Sequence, residues 1–106
     1  MDSRRYNIEI SKLAQSDYDN IYTYLAYELC AESSAKNIAA LLEEKIDNLS
    51  YFPLSFPLCN ESLLRAEGIH KMVFKKYLIF YTVDEVAQKV SVLRILHSLR
   101  DYENLL

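Results

Sequence analysis

Tyr77-Leu-Ile-Phe-Tyr-Thr-Val83, a short acidic turn from Asp84 to Ala87, then Val90-Ser-Val-Leu-Arg-Ile-Leu-His97 make up the stretch whose reading decides the fold. Both runs are rich in β-branched and aromatic residues, which suit a pleated, half-buried surface. The acidic spacer between them is of hairpin length. Residues 77–83 are apolar on both faces, so this segment reads as a central strand, covered by helices on one side and by something else, a partner included, on the other. After the second run the chain passes into Ser98-Leu-Arg-Asp-Tyr-Glu-Asn-Leu-Leu106. That puts His97, Arg100 and Tyr102 at a strand end, where binding and chemistry concentrate.

Working outward, Leu64 to Phe74 reads as a further, more polar and irregular strand, joined by a turn at Lys75-Lys76, so the sheet is expected to be an antiparallel meander. Pro53 and Pro57 lack an amide donor and restrict the residue before them, which makes 52 to about 62 a loop. Upstream, Ala35, Ile38, Ala39, Leu42, Ile46 and Leu49 recur at helical spacing in a helix opening near Ser33 or Ser34, with Glu43, Glu44 and Asp47 turned away. Leu13, Ala14, Tyr18, Ile21, Tyr22, Leu25 and Leu29 form a matching stripe from Lys12 to about Cys30, with Ser11 as N-cap. Residues 5–10 alternate as a first strand, with Tyr6, Ile8 and Ile10 on one face. Ser98-Leu-Arg-Asp101 has the form of a capping box and predicts a last helical turn or two through Leu105. The fold class is α+β: an N-terminal strand, a helical hairpin packed on a twisted antiparallel sheet (β-α-α-β-β-β) and a short C-terminal helix.

With 106 residues, 51% of them hydrophobic, the chain suffices for one modest core, and residues 1–106 read as one domain. No apolar run reaches 18 residues and the first residues lack a signal-peptide core, so a soluble, cytoplasmic protein without membrane contact is expected. Cys30 and Cys59 stand apart, without a CxxC or a His at ligand spacing, which reads as reduced thiols with no metal site and no cofactor. The formal charge is −3, yet its distribution is uneven: residues 1–64 hold five Lys/Arg against ten Asp/Glu, and residues 65–100 hold seven against three. A basic sheet face beside an acidic helical layer follows from that count.

Four motifs then carry a resemblance. Tyr6-x-Ile8-x-Ile10-Ser11-x-x-Ala14, Leu49-x-x-x-Pro53, Tyr77-Leu-Ile-Phe-Tyr81-x-Val83 and Arg94-Ile-Leu-His97-x-x-Arg100-Asp101-x-x-x-Leu105-Leu106 together resemble the RelE/ParE superfamily of bacterial type II toxins, and the ending is closest to ParE-like members. The resemblance implies a growth-inhibiting toxin of the kind that serves plasmid stabilisation, bound by a cognate antitoxin in a hetero-oligomer, the antitoxin laying apolar side chains in a groove and adding a strand at a sheet edge. Its ParE-like branch implies inhibition of DNA gyrase by binding, without catalysis. Its RelE-like branch implies ribosome-dependent cleavage of mRNA, which needs a base, an acid and cations around one phosphate. The ribonucleases carry a phosphate-facing Arg directly after the Tyr that here is Tyr77, whereas this chain has Leu78. Loss of such a contact costs on the order of a hundredfold in rate. A third alternative is a degenerate toxin that only binds its antitoxin.

Under the gyrase reading the contacts fall to Arg94, His97, Arg100 and Tyr102; under the ribonuclease reading Arg65, Lys71, Arg94, His97 and Tyr102 share the phosphate and proton work. His97 is a proton carrier or a structural and docking histidine, the second being favoured. His70 alternates with Met72 and Phe74 and reads as a half-buried cap. Lys75 and Lys76 solvate a turn. Arg94 alternates with Val90, Val92 and Leu96 on an apolar face and therefore needs an acidic partner or an exposed edge. Arg100 and Asp101 either pin the tail or reach the target. Of nine tyrosines, Tyr18, Tyr22, Tyr77 and Tyr81 sit at core-facing periods, leaving Tyr102 as the functional candidate.

Overall fold

One hydroxyl marks where the first strand becomes the first helix. In the computed structural model, which describes residues 5–29 and 32–106, β1 spans Asn7–Ile10 and α1 spans Lys12–Leu29. Between them, Ser11 Oγ accepts the Ala14 backbone N–H at 2.9 Å, the N-cap the sequence calls for. The same hydroxyl donates to Leu93 O at 2.8 Å, tying the helix start to the sheet. This cap sets the phase of α1: Ala14 is buried, Tyr18, Ile21, Tyr22 and Leu25 are half-buried, and Leu13, expected in the stripe, is 59% exposed. Cys30 and the side chain of Leu29 lie outside the described residues. Helix α2 spans Glu32–Asn48 and buries Ala35, Ala39, Leu42 and Ile46 while Glu43, Glu44 and Asp47 face water.

The loop after α2 is pinned where its prolines stand. Tyr81 Oη donates to Pro53 O at 2.9 Å, and His70 Nδ1 lies 2.7 Å from Phe56 O with its ring stacked 5.0 Å from that of Tyr81. His70 is thus a structural, half-buried residue.

Residues 64–74 do not form one strand. Ser62–Ala66 is a short helix, α3, and only His70–Phe74 is extended, as β2. The chain's sole glycine explains the break. Gly68 adopts φ +75, its N–H bonds to Arg65 O and the Ile69 N–H bonds to Leu64 O, the paired bonds of a helix stop that favours glycine. Leu64 and Ile69 then pack in the same apolar cluster, the contact that accompanies this motif.

Strand β3 (Tyr77–Asp84) pairs antiparallel with β2 and with β4 (Lys89–His97), as expected for a meander. Asp84 Oδ1 accepts the N–H groups of Val86 and Ala87 and closes the β3–β4 turn. The first strand departs from expectation: β1 runs parallel to β4, giving a mixed sheet of order β1-β4-β3-β2. Of the two meander edges, that of β2 is already occupied, because Lys71 N–H bonds Pro57 O and Leu58 bridges His70. The free edge of β4 receives β1.

A bulge between Phe80/Tyr81 and Val92/Arg94 leaves Leu93 without an opposite number. Val90 and Val92 face the helices before it, and Ile95 does so after it, all in one cluster with Ile46, Met72, Ile79 and Tyr81. Arg94 is therefore opposite Phe80 and shares the side of Leu96, correcting the simple alternation that put it with Val90 and Val92.

The second face is covered by the chain itself. Leu78, Phe80 and Leu96 pack with Cys59, Leu64 and Ile69, and Tyr102, Leu105 and Leu106 lie over them. The tail is a 3₁₀ turn over Tyr102–Asn104, without a side-chain cap from Asp101, where a capped helix was expected. Nine residues after β4 cannot nucleate a helix alone, so docking of the tail's apolar side chains fixes its shape.

Ile79 is fully buried at the middle of β3 between both neighbours. Ile79→Ala is expected to cost about 2–5 kcal/mol, seen as a lower urea midpoint with an unchanged slope.

Candidate functional site

Strand β4 outruns β1. Their ladder covers Lys89 to Val92 only, and Ser11 takes over at the end, its N–H bonding Val92 O. Three residues further on, at Ile95, Asp17 stands in for the missing strand. Its Oδ2 accepts the Ile95 N–H at 3.0 Å and Arg94 Nε at 2.8 Å, and its Oδ1 accepts Arg94 Nη2 at 3.0 Å. Both side chains are largely buried, 14% exposed for Arg94 and 12% for Asp17. This two-pronged pair supplies the acidic partner that Arg94 requires. Arg94 Nη1 also donates to Leu105 O at 3.3 Å, tying the tail to the same point.

Tyr102 makes the second tie. Its Oη donates to Glu61 Oε2 at 2.6 Å and its ring lies 4.9 Å from that of Phe80. The hydrogen bond to Glu61, with burial added, pushes the phenol up to about 12, and the same bond holds the Glu61 carboxyl below its ordinary value. Glu61 Oε1 is buried without a hydrogen-bond partner. Lys71 Nζ sits 5.7 Å from the centre of the Tyr102 ring. Beneath them Cys59 is a free, buried thiol whose pKa burial pushes up, which makes it inert.

His97 stands elsewhere. Its ring meets Tyr77 edge-on at 5.7 Å, and Nδ1 accepts the Leu99 N–H at 3.1 Å. That bond assigns the neutral ring proton to Nε2. Beside it, Asn20, Ile21 and Tyr24 of α1 face Tyr77, Ile95, Leu96, His97 and Arg100 across a groove of about 270 Å³. Arg65 is exposed on α3.

The candidates of the ribonuclease reading are thus split by the sheet. Lys71 and Tyr102 meet on the second face, Arg94 is held by Asp17 at the strand edge, and His97 opens on the helix side through its contact with Tyr77. His97 and Arg100 share the groove. Asp17, Glu61, Asn20 and Tyr24 were not singled out from sequence. Asp17 carried a signal, an acid three residues after Ala14 and four before Ile21 on the buried stripe. Among the described residues no group of three or more His, Cys, Asp or Glu could hold a metal ion, and no helix is long and apolar enough to cross a membrane.

The sequence pattern of the ParE toxin of type II toxin–antitoxin system parDE matches residues 8–102. The chain belongs to this family. Two solved structures share the fold of this ParE-family toxin. One is the toxin–antitoxin complex RelBE2 from Mycobacterium tuberculosis, with TM-score 0.65 and 22% identity over 91% of this chain and 94% of that one. The other is the chromosomal ParDE toxin–antitoxin system from P. aeruginosa, with TM-score 0.71 and 16% identity over 90% and 98%. No curated protein matches the sequence.

In this ParE-family toxin Asp17 serves three donors, so its removal strands them together. Asp17→Ala is expected to lose about 3–5 kcal/mol, more than the double replacement Asp17→Leu with Arg94→Met, on comparison of denaturation midpoints. Tyr102→Phe is expected to lose about 1–2 kcal/mol at neutral pH. Because the folded Glu61 pKa is depressed, the stability tied to this bond is present above the unfolded carboxyl's ordinary value and vanishes as pH falls through the folded one. The difference in Tm between parent and Tyr102→Phe should shrink over that acidic range.

Proposed function

We propose that residues 1–106 act as one cytoplasmic toxin domain that arrests growth by binding DNA gyrase and holding it in its DNA-cleaved state, and that a cognate antitoxin neutralises it in a hetero-oligomer. The observation that carries this reading is Leu78. It is buried opposite Leu96 and packs with Cys59, Leu64 and Ile69, so the slot next to Tyr77 is filled by apolar packing and offers no charge to a phosphate. A toxin that selects one conformation of its target needs no such charge. His97 and Arg100 supply the contacts, since both border an open groove, while Arg94 and Tyr102 hold the strand end and tail that present them.

One observation favours the ribosome-dependent ribonuclease as second reading: Lys71, Tyr102 and Glu61 bring a cation, a phenol and a carboxylate together on the second face. Purified toxin incubated with gyrase, ATP and supercoiled DNA is expected to accumulate linear DNA after detergent and protease, and Arg100→Glu should lower the yield at least about tenfold. Toeprints on translating ribosomes that disappear in Lys71→Ala or Tyr102→Phe, with no linear DNA from gyrase, would replace the first reading by the second.

A further inference from the structure

We propose that the cleft between β1 and the helical hairpin binds a small organic cation, a primary ammonium on an apolar body about one ring in size. The ammonium meets Glu43 and the Tyr18 hydroxyl at the mouth, and the body lies on Ile8, Ile46 and Ile95. The inference goes beyond the gyrase reading and does not rest on it, because this cleft shares only Ile95 with the groove that His97 and Arg100 border.

Residues of β1, α1, α2 and β4 line the cleft, so it is built from regular elements and not from a mobile loop. Its floor is apolar. Ile46 and Ile95 are buried, Ile8 is half-buried, and Ile10, 41% exposed, leaves an apolar flank for a ligand to cover. About 210 Å³ gives room for a ring with a short arm, since a cavity of about 150 Å³ holds benzene.

The mouth is acidic. Tyr18 Oη donates to Glu43 Oε2 at 2.9 Å. Burial, and then this bond, push the Tyr18 phenol up to about 12, so the hydroxyl stays a donor to Glu43 and keeps its oxygen lone pairs for a cation. Glu43 has no cationic partner among the described residues, and its Oε1 accepts no hydrogen bond from them. Asp47 stands at the same mouth, and its partner Arg5 is 3.8 Å away, shared with Ser50 Oγ and the Tyr51 ring. An unpaired carboxylate over an apolar floor complements an ammonium that carries an apolar body. A divalent metal fits less well. Such an ion needs six or so oxygens, the floor offers none, and among the described residues no group of three or more His, Cys, Asp or Glu could hold one.

The probe is phenethylamine, with phenethyl alcohol as the neutral control, hydrocinnamate as the reversed charge and N-acetyl-lysinamide as the mimic of a protein's lysine. Calorimetric titration of the full chain is expected to give saturable binding of phenethylamine tighter than about 1 mM, at least about threefold tighter than the alcohol and about tenfold tighter than hydrocinnamate. Amide shifts should concentrate at Ile8, Tyr18 and Ile46. Glu43→Gln keeps an acceptor for Tyr18 and should abolish the preference for the amine over the alcohol while leaving the alcohol's own affinity unchanged. Glu43→Lys, at an exposed position, should weaken the amine at least about tenfold. Unchanged thermal midpoints certify that both variants are folded. No saturable binding, equal affinity for amine and hydrocinnamate, a preference that survives Glu43→Gln, or shifts centred on Tyr24 and Arg100 would each overturn the proposal. So would tighter binding of N-acetyl-lysinamide than of phenethylamine, which makes a lysine of another protein the occupant. Gyrase trapping unaffected by Glu43→Gln is expected, and its loss in a chain that still binds phenethyl alcohol would place Glu43 in the target contact and overturn the assignment of this mouth to a small cation.

Discussion

The Asp17 carboxylate occupies the place where a strand runs out, and much of the molecule is arranged around that substitution. A β-strand longer than its neighbour presents unpaired amides that must find acceptors. Here the Ile95 N–H finds one on α1, and Arg94 binds the same carboxylate from the side. One group thereby fixes the height of α1 on the sheet and the position of β4 beyond β1. Through Leu105 it also fixes where the tail lies. The gap that β1 leaves is roofed by Asn20, Ile21 and Tyr24, and it remains open as the groove bordered by His97 and Arg100.

The two faces of the sheet have different duties. The helical hairpin covers one with the larger cluster, built on Tyr77, Ile79 and Tyr81. The other is closed by short pieces: α3, the glycine stop and the final residues, held by Tyr102 on Glu61. Between them the basic residues of the second half are separated. Arg94 is spent on structure, Lys71 flanks the tail ring, and Arg100 reaches water. These three cations of the second half thus stand in three different surroundings.

Sequence reasoning reached the central strand, both long helices, the Ser11 cap and the need of Arg94 for an acid, because each depends on local periodicity or on a single unpaired charge. It missed what depends on competition between distant segments. The neighbour of β1 was decided by which meander edge Pro57 and Leu58 had left vacant, a fact absent from the first ten residues. The bulge at Leu93 shifts the facing of Arg94 by one residue, and no composition marks it. Gly68 was a legible sign passed over: a single glycine after Ser62-Leu-Leu-Arg-Ala66 and before an apolar residue reads as a helix stop. The tail shows the opposite error, since a capping-box pattern without enough residues to propagate gave way to side-chain docking.

The strand order carries a consequence for synthesis. Because β4 lies between β1 and β3, the earliest strand stays without its ladder until residues 89–92 have been made, although β2 and β3 can already pair. A nascent chain thus holds a helical hairpin and a loose hairpin with no strand to join them, a topology rich in late, long-range closure. The groove, the Asp17 contact and the Tyr102 tie all need residues beyond Leu93. A nascent chain that has not reached them can form the helical hairpin and still lack every contact that places the strand end and the tail.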